Sequence, residues 1–435
     1  NSRLRTGNPR ARGRRGNRNA HRARDTSLPA SARKNEAMDT PLTLAVRYGL
    51  RDVLPLLLEH GEAVDGCGGD GVPPLILAVR SGRSDMEGML EFLLRNGANS
   101  DVRDRAGRTA LFDAVRSGRT TTVAFLLDHG GNPNVRDALG LSPLCALMRL
   151  ERNVLCPDDL PFSSKVEMNP KERLDMAKLL VQRGANPNLA DFAGKDALRY
   201  AIDCGHVSAV KFFLEQGAAV NSHDPFRVTH LHYAANLRNT EIARILIDGG
   251  ADIHAETYEG LGSLHYAMAG GGSGLVELLL EKGVAADGLN RMMRAQGLTP
   301  LGAGLATISD IHSSLALLRD PTIISRFHFP KAGIASIEFT SPAFKSRTIQ
   351  LPSAFICHSL ATFVTSSGIV DMQRLIQALE AEYRQYLDTF ELLLKKGANP
   401  NAGGLPGGAP LLKASSHGIE DVVSLLLKYG GDISQ

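Results

Sequence analysis

One spacing dominates this chain of 435 residues: an apolar run closed by glycine, of the form L-L-x-x-G or a close relative, returns at a fixed interval. The runs are LLLEHG, FLLRNG, FLLDHG, LLVQRG, FFLEQG, LIDGG, LLLEKG, LLLKKG and LLLKYG. They end at Gly61, Gly97, Gly130, Gly184, Gly217, Gly250, Gly283, Gly397 and Gly430. Five of the eight intervals equal 33, and the others exceed it by 3, 21 and 81 residues, so one period with insertions runs through the chain. A unit of that length cannot bury its own apolar face; stacking on neighbours does so. Two or three separate globular cores, which length alone favours at about 150 residues per domain, are thereby excluded.

A second landmark keeps the same beat. Helix starts read TPL at 40–42, PPL at 73–75, TAL at 109–111, SPL at 142–144, DAL at 196–198, THL at 229–231, GSL at 262–264, TPL at 299–301 and APL at 409–411. The motif leucines are Leu42, Leu75, Leu111, Leu144, Leu198, Leu231, Leu264, Leu301 and Leu411. Three residues on stands a small residue in eight of nine cases, Leu147 being the exception, and seven residues on stands glycine in six. Thr or Ser caps a helix N-terminus, and Pro is tolerated in the first turn because its missing N–H has no partner there. Leu and the small residue share one helix face, which lets a neighbouring helix approach closely. The glycine seven residues on ends the first helix, and that of L-L-x-x-G caps the second in a left-handed conformation. Each unit therefore reads as polar turn, short helix, loop and longer helix.

These residues resemble the ankyrin-repeat family, whose T-P-L-H-x-A signature and 33-residue period appear as TPLTLA, TALFDA, THLHYA, GSLHYA and APLLKA. The resemblance covers nine units and roughly 300 residues. It implies an all-α solenoid of about nine helix–turn–helix repeats with hairpin-like turns. It also implies structural roles for His232 and His265, at the family's histidine position, and for the turn residues Asn134, Asn188, Asn221 and Asn401.

The remaining segments depart from the period. Residues 1–36 hold ten Arg and one Lys against two acids, a balance of +9 within a chain whose total is +3, and have almost no apolar residues. They are expected to be a disordered Arg-rich tail, whose functional reading is an RNA-binding or nuclear-import arm. Residues 37–309 are expected to carry repeats one to seven and the first helix of repeat eight, with a surface loop inserted near 151–170. Residues 310–385 form a larger insertion containing Phe327, Phe329, Phe339, Phe344, Phe355 and Phe363; its later part is strongly helical and is a candidate for a degenerate tenth repeat. The end of repeat eight and repeat nine occupy 386–435. The five cysteines are odd in number and show no C-x-x-C spacing. With no apolar signal-peptide core, the expectation is an intracellular location, cytoplasmic or nuclear. No run of 18 apolar residues offers a membrane span.

Catalytic constellations have only imitations here. The glycines of Gly270–Gly274 precede a helix, but no Lys-Ser/Thr follows as in a phosphate loop. His230 and His232 form an H-x-H pair without a third ligand. No enzyme, cofactor or metal is expected. Surface is what the repeats offer instead. Arg47, Arg80, Arg116 and Arg149 stand five residues after the motif Leu in four consecutive repeats. Arg83 and Arg119 stand at +8, and Arg105 and Arg108 lie in the connecting turns. The family resemblance implies that the first-helix end and the turn tips line the binding face. This ladder is thus expected to dock an acidic or phosphorylated segment of a protein partner. Exposed pairs contribute about 0.2–1 kcal/mol each, so an apolar anchor is needed as well, with Tyr48 and Phe112 as the candidates. The role expected is a non-catalytic scaffold or adaptor. The alternatives are nucleic-acid association through the tail, or a substrate-receptor or regulatory subunit of an enzyme complex. A second row, Tyr200, Tyr233 and Tyr266 at +2, is expected chiefly to pack in the core, where the family usually has an apolar residue; the alternative is that the rings pack and the hydroxyls are presented at a rim.

Overall fold

A computed structural model describes residues 39–83, 86–149, 168–287, 299–319, 336–341, 344–350, 372–402 and 409–433. The expectations for 1–36, and for the inserted loop near 151–170 up to residue 167, lie outside the described residues. Helices pair in chain order: α1 (Pro41–Tyr48) with α2 (Leu54–Glu59), α3 (Pro74–Ser81) with α4 (Met86–Arg95), and α5 (Ala110–Arg116) with α6 (Thr120–Asp128). Next come α7 (Pro143–Arg149) with α8 (Pro170–Gln182), α9 (Ala197–Asp203) with α10 (Val207–Glu215), α11 (His230–Asn236) with α12 (Thr240–Asp248), and α13 (Ser263–Gly270) with α14 (Ser273–Glu281). Repeat eight pairs α15 (Pro300–Leu318) with α16 (Met372–Lys395), and repeat nine pairs α17 (Pro410–Ser416) with α18 (Glu420–Lys428).

Local chemistry starts these helices as the spacing predicts and stops them where glycine follows; α15, which has Ile308 in place of that glycine, continues to Leu318, beyond the expected boundary at 309. The Thr40 and Thr109 hydroxyls accept from the N–H groups of Thr43 and Phe112. Asn169 and Glu172 form a reciprocal capping box that restarts the chain at α8 after the insertion. The glycine after each second helix has φ between 79° and 96°. At eight of the nine, no atom lies within 4 Å of where a Cβ would sit, so backbone sign alone requires glycine there. The core is a seam between layers. Every motif Leu is buried, as are Ala45, Ala78, Ala114, Ala201, Ala234, Ala267 and Ala414. The glycine cluster at 270–274 is an interhelix turn, with Gly271 left-handed between α13 and α14.

Between layers runs a ladder of asparagines. The Asn188 side-chain oxygen accepts from Ala219 N at 2.8 Å, while its Nδ2 donates to the Gly217 carbonyl at 3.2 Å. Asn134, Asn221 and Asn401 repeat the pattern on Asn186 and Gly184, Asp252 and Gly250, and Asp432 and Gly430. Each amide thus satisfies a carbonyl at the end of one second helix and orients the turn that leaves it. Asp287 plays the accepting half toward Asn399 N at 2.7 Å. The seam therefore closes across 112 residues of sequence, and repeat eight stacks in register despite the insertion.

Within the insertion, β1 (Ser336–Ser341) pairs antiparallel with β2 (Phe344–Gln350). Among the described residues this is the one sheet, beside isolated bridges between His223 and Thr229 and between Glu256 and Gly262. The strongly helical later part forms one continuous helix with the end of repeat eight, α16, of 24 residues. Of the six insertion phenylalanines, only the backbones of Phe339 and Phe344 fall within the described residues.

His232 and His265 reach back to cap their own helices: Nδ1 of each accepts from the backbone N–H of Thr229 and Gly262. His232 Nε2 donates to the Ala255 carbonyl, so the ring is neutral, and burial depresses its pKa to about 4. Below about pH 6.5 the unfolded chain takes up a proton here that the folded chain refuses. Stability should therefore fall as pH drops from 6.5 toward 4, and His232→Gln should flatten part of that slope in urea titrations run across the range. At the ladder, Asn221→Ala should lower stability by about 1–2 kcal/mol and Asn221→Asp by about half as much, because the acid keeps only the accepting role. Urea midpoints of the two variants check this.

Candidate partner-binding face

The polar turns between repeats are shaped by acids that the period places beside the stack. Asp104 Oδ1 accepts from the N–H groups of Ala106 and Arg108, both at 2.9 Å, which folds the turn into a finger. Asp137, Asp191 and Asp224 do the same for Leu139 and Leu141, Ala193 and Lys195, and Phe226 and Val228. In repeat seven Thr257 stands at this position, and its hydroxyl accepts from Leu261 N.

The second carboxylate oxygen engages a helix. Arg47 pairs with Asp70 at 2.9 Å and with Asp39 at 3.0 Å. Arg80 bridges Asp104 and Asp113 of the next repeat, at 2.6 Å each. Burial works against the Arg80 charge, but the two carboxylates more than offset it and raise its pKa above the ordinary arginine value. In repeats five and six the tyrosine row takes over. Tyr200 donates to Asp191 at 2.7 Å and Tyr233 donates to Asp224. Burial, followed by the bonded carboxylates, pushes both phenols up. Their hydroxyls serve the fingers, not an open rim. Tyr266 has Thr257 in its finger where the others have Asp, and its ring lies 4.9 Å from that of His232.

The arginines expected to dock a partner therefore divide into separate groups. Arg47 and Arg80 brace the next finger, because a side chain on a helix leans toward its N-terminus, where the fingers are. Arg116 and Arg149 are half-buried at the equivalent place. The +8 residues do not join this row. The Arg83 guanidinium lies against Gly49, and Arg119 lies against Gly82 while donating to the Val79 carbonyl, so both cover the interhelix loops of the preceding repeat. Arg105 is exposed at a finger and donates to Gly69 O at 2.8 Å; Arg108 is half-buried. Tyr48 is 36% exposed, but Phe112, the other expected anchor, is 2% exposed and belongs to the core.

A row that the motif reading misses stands at the finger tips instead. Leu139, Phe192, Phe226 and Tyr258 belong to repeats four to seven and are 49%, 72%, 71% and 63% exposed. They sit five or six residues before the motif Leu, and the slip between −5 and −6 hides the row from a fixed-register search. Neighbouring tips are joined by backbone bonds, Phe192 N to Leu139 O at 3.3 Å and Tyr258 N to Phe226 O at 3.2 Å. Gly194 of the fifth finger lies close against Pro225 of the sixth. Arg227, exposed beside Phe226, places its guanidinium 5.8 Å from the Tyr258 ring centre. The row is thus apolar with a basic fringe.

Nothing comparable favours chemistry. No group of three or more metal-ligating side chains exists among the described residues. His230 is held by Asp196 and the Val220 carbonyl, apart from the contacts of His232. Burial raises the Cys145 thiol to about 12, too high for a nucleophile. No helix among the described residues is long and apolar enough to cross a membrane. Arg80→Met should destabilise the chain by about 3 kcal/mol in urea unfolding, because Asp104 and Asp113 would lose the cation bonded to both.

A family model described as ankyrin repeats, three copies, matches residues 42–137, 168–257 and 216–288. Among solved structures, this chain is similar to the crystal structure of the ankyrin repeat domain of Bcl-3, described as a unique member of the IkappaB protein family. That similarity has 24% identity and a TM-score of 0.46, and covers 56% of this chain and 98% of that one. A search of curated proteins finds no match.

Proposed function

We propose a function from one premise: this chain belongs to the ankyrin-repeat family. Ankyrin repeats are in general protein–protein interaction modules, and this stack acts as a non-catalytic adaptor or scaffold that holds a partner protein along its finger tips. The observation that carries the reading is the row of Leu139, Phe192, Phe226 and Tyr258, exposed on four consecutive repeats. Exposed aromatic side chains on rigid, bonded turns cost little to desolvate and lose little entropy on docking, which makes them suited to anchor an interface. The fitting partner is an extended segment with apolar side chains at the spacing of the fingers and acids that meet Arg105 and Arg227. In this reading the inner arginines Arg47 and Arg80 set the finger positions rather than contact the partner. Its place is inside the cell, in cytoplasm or nucleus, in keeping with no disulfide joining Cys67, Cys145 or Cys204 among the described residues.

A random-peptide library selected on the whole chain tests the reading. Enriched peptides should combine aromatic or aliphatic anchors with acidic residues. They should bind a Phe192→Ser, Phe226→Ser double variant about 10–100-fold more weakly, in the range of hot-spot losses. Selected peptides that bind the double variant as tightly as the parent chain sink the proposal.

A further inference from the structure

Among the described residues, the interhelix loops hold one exception that the repeat itself does not explain. Seven residues after the motif Leu, Gly49, Gly82, Gly118, Gly205, Gly271 and Gly418 take φ between 63° and 76°. Repeat six carries Arg238 at this position with φ 57°, a region disfavoured for any residue with a Cβ. The side chain shows what the strain accompanies. Its guanidinium meets the Glu382 carboxylate at 2.5 Å, donates to Tyr386 Oη at 3.1 Å and to Gln385 Oε1 at 3.3 Å, and lies 5.0 Å from the Tyr386 ring centre.

All three partners lie on α16, which belongs to repeat eight. In a solenoid each repeat ordinarily touches only its neighbours, so this contact skips a layer. The layer it skips is built to let it pass. The Tyr386 ring lies so close over Gly271 that a Cβ there would fall 2.6 Å from it, and Tyr386 Oη donates to the Ala269 carbonyl at 2.8 Å. One turn on, Thr389 donates to the Gly271 carbonyl at 3.4 Å. On the far side Tyr383 donates to Asp421 of repeat nine at 3.2 Å. Arg238 and Glu382 are each largely withdrawn from solvent, with side chains 15% and 22% exposed. Their charge-assisted bonds are therefore less screened than a surface pair.

We propose that the N-terminal half of α16, residues 372–386, is a brace that ties repeats six to nine into one cooperative folding unit, with Arg238 as its latch. Local backbone preference favours glycine at 238, and the arginine side chain supplies a charge-assisted contact to repeat eight that glycine has no atoms to make. Stability in this half of the stack is then shared rather than summed repeat by repeat.

Native-state hydrogen exchange on the whole chain tests the brace. Arg238→Gly relieves the backbone as it removes the latch, so the two effects oppose each other and faster exchange reports the loss of the latch. The amides of 376–388 and of 268–272 should exchange about tenfold faster, the loss of charge-assisted bonds in a half-buried site, while those of repeats one to four keep their rates. Glu382→Gln should give the same regional pattern, and combining both substitutions should add little to either. Unchanged or slower exchange in Arg238→Gly, or fully additive effects in the double variant, overturns the proposal.

Discussion

Every layer of this stack completes its core with its neighbour, and that dependence sets the rest. A first helix of seven or eight residues is too short to be stable alone. It persists because its Leu and small residue lie in a seam covered from both sides. Leu147, which replaces the small residue in repeat four, is also fully buried, so the seam there is filled by a larger side chain. With helix faces committed to the seam, variation is confined to the fingers, the interhelix loops and the outer helices.

Polar groups follow the same logic of sharing between layers. A finger aspartate uses one oxygen to fold its own turn and the other to hold a helix side chain. Arg80 does this from the repeat before, and Tyr200 and Tyr233 from within their own. The change from arginine to tyrosine along the stack shifts the held group from charged to neutral without altering the finger. What is exposed at the tips is then decided by composition alone. Repeat three presents Arg105, and repeats four to seven present Leu, Phe, Phe and Tyr.

Most of the fold was legible because its determinants are local. Leu198 and Ala201 are three residues apart, and Gly217 closes its own helix. The helix starts predicted by the spacing agree with the structure for the same reason, whereas α15, with no glycine seven residues after its Leu, runs on to Leu318, past the expected boundary at 309. The function of Arg80 was not legible, since its partners stand 24 and 33 residues away and only stacking brings them together. Phe112 reads as an anchor by its place beside the motif Leu, yet that face of the helix is the seam. The tip row escaped because finger turns tolerate a one-residue slip. Arg238 departs visibly from a glycine pattern, but its reason lies nearly 150 residues downstream. The antiparallel hairpin within the insertion has no counterpart in the repeat pattern.

The bond between Asp287 and Asn399 has a consequence for how such a chain can change. Closing a flexible excursion costs free energy that grows only with the logarithm of its length, about 0.6 kcal/mol for each doubling. Once the seam is zipped on both sides of the insertion, lengthening the connection between α15 and α16 adds little to that cost. Repeat eight is therefore a socket where new sequence can be tried, by evolution or by design, while the neighbouring layers keep their registration.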